Sequence, residues 1–341
     1  MMRRLLAASL SVFAAASLPV LAEDGVRKTI LDFSSLNGWD DDDHKEALKV
    51  FLKSCKQIPT DGWEGICKAA ADAPNAKEFF ELAFIPVLIE GGEEKLFTAY
   101  YEPELRGSRM RQGAYQYPLY ALPPEAPRGK PWLTREQLEK GEHLAGRGLE
   151  IAWLSDPVEA FFLHVQGSGR LRLSDGSSMR VGFAGKNGYK YRSVGKEMAR
   201  LGILSEHKVS AASIKSWVKK NPERGRKMLW HNPSYVFFRE LTDLPPDSGP
   251  IGAMSVPITT MRTIAVDPEY TPLGAPVWIE KDGKTPIRRL MVAQDTGSAI
   301  VGGQRADIYF GSGDIAGDEA GRIRDDGRMI TLLPRSMAHG L

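Results

Sequence analysis

Apolar positions recur along this chain in two rhythms, one of helical and one of strand period. Four acids at 40–43 run into Glu46, Ala47, Leu48, Val50, Phe51 and Leu52, the pattern of a helix with acids at its positive end and an apolar stripe behind them. A second helical stretch spans 69–84, interrupted at Pro74, and its Phe79, Phe80, Leu82 and Phe84 read as core. Strand character begins at 96–101 and is stopped by Glu102 and Pro103. Residues 106–130, rich in Pro, Gly and Tyr, suit a place where the chain leaves one domain for another. Thr134 and Gln137 have capping-box spacing, which predicts a short helix to Lys140 that Gly141 stops. The runs 161–165 and 171–173 predict strands on either side of a turn, Gln166, Gly167, Ser168 and Gly169, and the SDGS turn at 174–177 leads to a further strand at 179–184. Helices are predicted at 193–202 and 211–221, the latter carrying Ile214, Trp217 and Val218 at amphipathic spacing. Strand signals then return at 236–238, 263–266, 277–280, 290–293, 307–310 and 329–333, which argues for a barrel in the C-terminal part. No heptad or repeat period recurs, so solenoid and coiled-coil readings fail.

Composition narrows this picture. With 341 residues, 42% hydrophobic and 26% charged, the chain is an ordinary globular protein of a length that makes two domains the default. Arg3 and Arg4, an apolar run from 5 to 18 and the small-residue site Val20, Leu21, Ala22 read as a signal peptide cleaved after Ala22. Its removal leaves 43 basic against 43 acidic residues from the initial 45 and 43, which excludes a polycationic nucleic-acid binder. In an exported chain the only two thiols, Cys55 and Cys67, read as a disulfide and not as a metal site or nucleophile. His143, His164 and His231 are too scattered for zinc, and GFAGKNG at 182–188 lacks the strand-then-helix context of a phosphate loop.

The chemistry concentrates at 294–321, QDTGSAIVGGQRADIYFGSGDIAGDEAG, where Asp295, Asp307 and Asp314 stand among seven glycines. Asp307 leads a β-type run of apolar residues, where a carboxylate resists ionising, and a carboxylic acid kept protonated near neutral pH is what glycosidic cleavage requires. The same residue also reads as a buried aspartate satisfied by backbone amides. Asp295 reads as an Asx-turn, a supporting carboxylate or both. Asp314 is open between a helix N-cap and a substrate contact, and Asp318 reads as solvated. Aromatic groups beside glycine-rich turns are natural sugar-binding places, which singles out Tyr100, Tyr101 and Glu102 and, separately, Gln166, Gly167, Ser168 and Gly169.

The aspartate run resembles the 3D segment of the membrane-bound lytic transglycosylase A family, enzymes that cut the glycan strands of bacterial peptidoglycan. Further segments are similar to that family in its order: TAYYEP at 98–103, FFLHVQGSGRLR at 161–172, VGFAGKNGYKYRS at 181–193, NPSYVFFRE at 232–240 and the stretch 252–280. The resemblance covers most of the chain after about residue 75. It implies a six-stranded double-psi β-barrel made from 23–104 and 241–341, including the 3D segment 290–334, with a second β-rich domain inserted at 105–240 and a groove between them. It also implies cleavage of the β-1,4 MurNAc–GlcNAc bond to give 1,6-anhydroMurNAc ends, with no cofactor and no metal. Asp307 matches the family's acid/base in its Asp-Ile-Tyr motif, and Asp295 its supporting carboxylate. Expected partners are peptidoglycan strands and other wall-synthesis or wall-degrading proteins, with no nucleic acid, for a monomer. Many family members are lipoproteins whose signal ends at a cysteine. Here the first is Cys55, so the reading is of a soluble periplasmic protein of a Gram-negative bacterium without an outer-membrane lipid anchor. The rival reading from another class is a non-catalytic wall-binding or expansin-like wall-loosening protein, and an ordinary muramidase using Asp307 with Asp295 or Asp314 is a second enzyme reading.

Overall fold

The computed structural model describes residues 20–21, 25–58, 63–92, 95–141, 143–245 and 248–337. Apart from Val20–Leu21, the segment read as a signal peptide lies outside the described residues. The fold is mainly β with some α, as expected, and the described residues form two sheets.

The larger sheet has ten strands, in the order Val20–Leu21, Arg27–Ile30, Phe84–Glu90, Gly327–Pro334, Pro276–Lys281, Ile287–Thr296, Thr263–Val266, Arg305–Ser312, Leu96–Glu102 and Arg324–Asp325. Six of these, from Gly327–Pro334 to Leu96–Glu102, curl into a barrel. It nearly closes because Arg324–Asp325, which pairs with Leu96–Glu102, directly precedes the strand at the opposite end of that run, Gly327–Pro334. Two of the pairings are parallel, Thr263–Val266 with Ile287–Thr296 and Arg305–Ser312 with Leu96–Glu102, as a double-psi barrel requires.

Strand alternation sorts the side chains. Phe97, Ile264, Val266, Val277, Ile279, Met291, Ala306 and Ile308 fill the barrel. Trp278, Leu290, Val292 and Ile330 point outward, under a layer of helices, where they meet Phe51, Trp63, Phe80 and Phe84. With both faces buried, these strands read as continuous apolar runs.

The helical layer is built from His44–Ser54, Glu64–Ala71 and Ala76–Ala83. The acids of the run before it have separate partners. Asp43 caps the first helix by accepting from the Glu46 N–H, Asp40 pairs with Lys77, and Asp42 is buried against Arg262. Cys55 and Cys67 are joined in a disulfide with Cα atoms 5.6 Å apart, tying the end of the first helix to the second. Replacing both by Ser is expected to cost about 3 kcal/mol in urea unfolding, because the unfolded chain regains the freedom of the closed loop.

The chain leaves the barrel at Pro103 and forms a second sheet of six strands, in the order Val236–Glu240, Ser178–Lys186, Gly169–Leu173, Glu104–Ser108, Glu150–Leu154 and Tyr117–Tyr120. Leu154, Leu171, Leu173, Val181 and Phe238 make its core together with Leu163. Leu163 belongs to a helix, Pro157–Gln166, which corrects the expected strand at 161–165. Asp156 caps this helix by accepting from the N–H groups of Val158 and Glu159, and Gly167 ends it in the left-handed region at φ 79°. The four residues 166–169 are therefore a helix end leading into a strand, not a hairpin. By contrast, the Thr134–Gln137 capping box and the helices Val194–Arg200 and Ala211–Lys220 fall where their patterns place them. Among the described residues no helix is long and apolar enough to cross a membrane.

Candidate active site

Asp307 and Asp295 reach one place through strand register. Ala265 on the central strand Thr263–Val266 pairs with Asp307 on one side and with Asp295 on the other, and Asp307 in turn pairs with Thr98. The four residues therefore form a row across the barrel wall, with the backbones of the two acids roughly 9–10 Å apart, two strand spacings. Since Ala306, Ile308, Ile264 and Phe97 fill the barrel, alternation turns Asp307 outward, towards the inserted sheet. Both acids line a cleft of about 670 Å³ whose other wall comes from the inserted sheet, with Phe183, Lys186 and Arg239, and from Tyr191 in the loop that follows Ser178–Lys186.

Burial pushes both carboxyls above the ordinary aspartate range. Their hydrogen bonds differ. Asp295 accepts from the Tyr100 hydroxyl at 2.8 Å, the Ala253 N–H at 3.0 Å and the Thr296 N–H at 2.9 Å, all of which favour its charged form, while the charge of Asp307 opposes ionisation. Asp307 accepts from the Thr98 hydroxyl at 2.5 Å, and Arg305 donates to that same hydroxyl oxygen at 2.9 Å. Thr98 and, more weakly, the Arg305 charge restrain the rise without reversing it. Among the described residues the Asp295 carboxyl thus has three donors and the Asp307 carboxyl one, the Thr98 hydroxyl. Burial and the neighbouring Asp295 hold the Tyr100 phenol protonated, so it remains a donor.

The expected binding residues divide. Tyr100, Gln166, Gly167 and Ser168 line the cleft, and the Gln166 side-chain oxygen accepts from the Tyr101 N–H at 3.4 Å. Gly169 does not line it: the residue is buried, and a Cβ there would lie 2.5 Å from Leu163 Cδ1, so its smallness serves packing. Tyr101 packs over Gly317, outside the cleft lining. Glu102 is fully buried, with its carboxylate held by arginines, and cannot touch a sugar in this arrangement. Asp314 is exposed in the first turn of the helix Gly313–Ala320, whose N-cap position is Ser312, so it neither lines the cleft nor caps the helix.

Sequence reasoning singled out neither Thr98 nor the inserted wall formed by Phe183, Lys186, Tyr191 and Arg239. The only signal for the latter was the similarity at 181–193 and 232–240. His164, whose buried ring accepts from the Val236 N–H and meets the rings of Tyr235 and Phe238 edge-on, is kept neutral by burial.

Residues 96–239 match the family model of the MltA specific insert domain, and residues 262–333 that of the 3D domain. The membrane-bound lytic murein transglycosylase A of Escherichia coli strain K12 is 34% identical over 276 residues, 78% of this chain and 73% of that protein. The crystal structure of a membrane-bound lytic murein transglycosylase from Agrobacterium tumefaciens superposes over 92% of this chain and 99% of its own, with a TM-score of 0.83 and 32% identity. That of E. coli MltA with bound chitohexaose covers 86% and 90%, with a TM-score of 0.68 and 27% identity. A barrel interrupted by its insert, two domain matches in order and a relative of this identity along most of its length together mean that the chain belongs to the membrane-bound lytic murein transglycosylase A family.

Proposed function

We propose that this protein is a peptidoglycan lytic transglycosylase that cleaves the β-1,4 bond between N-acetylmuramic acid and N-acetylglucosamine without water. The reading rests above all on one observation: Asp307, raised by burial and given one side-chain donor, opens into a cleft between two β units beside a second acid that three donors hold. The Asp307 carboxyl gives its proton to the glycosidic oxygen as the bond to the muramic C1 breaks. The C6 hydroxyl of the same sugar attacks C1 and returns its proton to the Asp307 carboxylate, closing a 1,6-anhydro ring. Donor and acceptor are one group, and the tethered hydroxyl replaces water as the nucleophile. Asp295, ionised, stabilises the positive charge that develops on the ring.

In this reading residues 23–104 and 241–341 form the catalytic barrel unit and residues 105–240 the inserted unit that closes over the glycan. The protein works as a monomer on the periplasmic side of the cell envelope, where its substrate is. Its cleft residues Tyr100, Gln166, Gly167 and Ser168 contact the sugars.

The test is product analysis of isolated peptidoglycan digested in heavy-oxygen water. The expected muropeptides end in an anhydro sugar, lighter by one water than hydrolytic products and free of solvent oxygen. Reducing ends carrying solvent oxygen would identify a muramidase instead. Intact glycan that still binds would identify a wall-binding protein.

A further inference from the structure

Glu102 ends the barrel strand Leu96–Glu102, and Pro103 alone separates it from the first strand of the insert, Glu104–Ser108. It has 0% exposure. A carboxylate so placed is tolerable only if donors surround it. Arg170 Nε donates to Oε2 at 2.8 Å, Arg180 Nε to Oε1 at 3.1 Å, Arg180 Nη2 to both oxygens at 3.0 Å, and the Ser312 hydroxyl to Oε2 at 2.7 Å. Arg170 and Arg180 are register partners on adjacent strands of the inserted sheet.

The same guanidinium groups donate to the Ser248 carbonyl, at 3.0 Å from Arg170 and 2.8 Å from Arg180, and Arg180 also reaches the Pro245 carbonyl at 3.3 Å. Pro245 and Ser248 lie on the segment by which the chain returns to the barrel. The outgoing crossing is held as well, because the Arg170 N–H donates to the Pro103 carbonyl at 2.8 Å. One buried carboxylate thus gathers both covalent crossings between the units.

A chain of contacts also runs from it to the acid row. Ser312, which donates to Glu102, lies 3.2 Å from the Tyr309 hydroxyl. The Tyr309 ring packs 5.3 Å from that of Tyr100, whose hydroxyl holds Asp295.

We propose that Glu102 is a positioning residue that clamps the two crossings and thereby fixes the separation of the cleft walls. A glycan held against the inserted sheet is then presented to Asp307 at a set distance. The catalytic part of this inference rests on the function proposed above, whereas the clamp itself does not.

The experiment measures both separately. Spin labels at Phe183→Cys and Ser298→Cys, one on each wall of the cleft, report the wall-to-wall distance by double electron–electron resonance, with no substrate present. Glu102→Gln, which keeps the shape but not the charge, is expected to broaden that distribution. On unlabelled protein it is expected to lower kcat/KM on peptidoglycan about tenfold, through positioning, with the pH profile of the remaining activity unchanged. Arg180→Lys, which keeps the charge but loses the fork that spans Glu102 and Ser248, is the second variant and is expected to broaden the distribution less. A distribution as narrow as the wild type's in whichever of these variants folds overturns the proposal, whatever the activity does. A wild-type protein inert on peptidoglycan, with the broadening still seen in the variants, would instead remove the functional reading and leave the clamp standing.

Discussion

Asp307→Asn is expected to lower turnover on isolated peptidoglycan by on the order of 10²–10⁴-fold, towards the upper end because one group serves as both acid and base. Asparagine can still accept from the Thr98 hydroxyl but has no carboxyl proton to give. The loss should fall on kcat, with the affinity for glycan nearly kept. Folding should not suffer, and linkage gives the sign. The carboxyl's pKa in the folded protein is raised by burial. Its contribution to stability is therefore fully present below the ordinary aspartate value and is lost as pH rises through the raised one. At neutral pH the wild type buries this carboxyl at a cost that asparagine does not carry. The variant should therefore melt at the same temperature as the wild type or higher. A variant that is inactive and also melts lower would attribute the loss to unfolding and remove Asp307 from its proposed role. For the same reason the wild type's activity should decline as pH climbs past the raised value, where the acid no longer holds its proton.

The second large effect concerns stability. Asp42→Ala is expected to cost about 3–5 kcal/mol, read as a lower urea midpoint, because it strands a buried guanidinium. Asp42 Oδ2 accepts from Arg262 at 2.7 Å and from the Leu290 N–H at 2.9 Å, and the side chains are only 3% and 8% exposed for Asp42 and Arg262 respectively. Arg262 also donates to the Leu290 carbonyl at 2.8 Å, so its charge ties the start of the first helix to two barrel strands. Asp42→Asn keeps an acceptor and should be milder. Asp42→Leu combined with Arg262→Met should recover much of the loss, since removing both members leaves no uncompensated charge. Additive losses in that double variant would show that the pair does not act as a unit. Its neighbours in the run lack this burial: Asp40 and, at the helix cap, Asp43 are both exposed, so the corresponding alanine variants should cost far less.

Much of the fold was legible because its signals are local. The capping box of Thr134 and Gln137, the stripe of Ile214 and Val218, and the strands around Ile264, Val277 and Ile308 each involve residues a few positions apart, whose spacing alone selects a backbone. The helix Pro157–Gln166 escaped this reading because its Val158, Phe161, Leu163 and His164 are buried on several sides, which erases the polar face that reveals a helical period. Its true signal, Asp156 followed by Pro157, lay just outside the apolar run.

The same boundary runs through the site. A charged residue among glycines and apolar neighbours, together with family likeness, was enough to single out Asp307 and Asp295. The sequence by itself therefore determined the class of fold and most of its elements, and it pointed to two acids that line one cleft. It did not determine that Ala265 seats those acids on either side of one strand, or that an inserted sheet supplies the opposite wall of the cleft. Nor did it show that Glu102, beside two tyrosines, belongs to arginines 68 and 78 residues away and not to a sugar. Only the tertiary structure decided these points. Register and burial arise when distant strands pair, and the partner of a buried charge is chosen by proximity in space, for which neighbouring residues carry no local code.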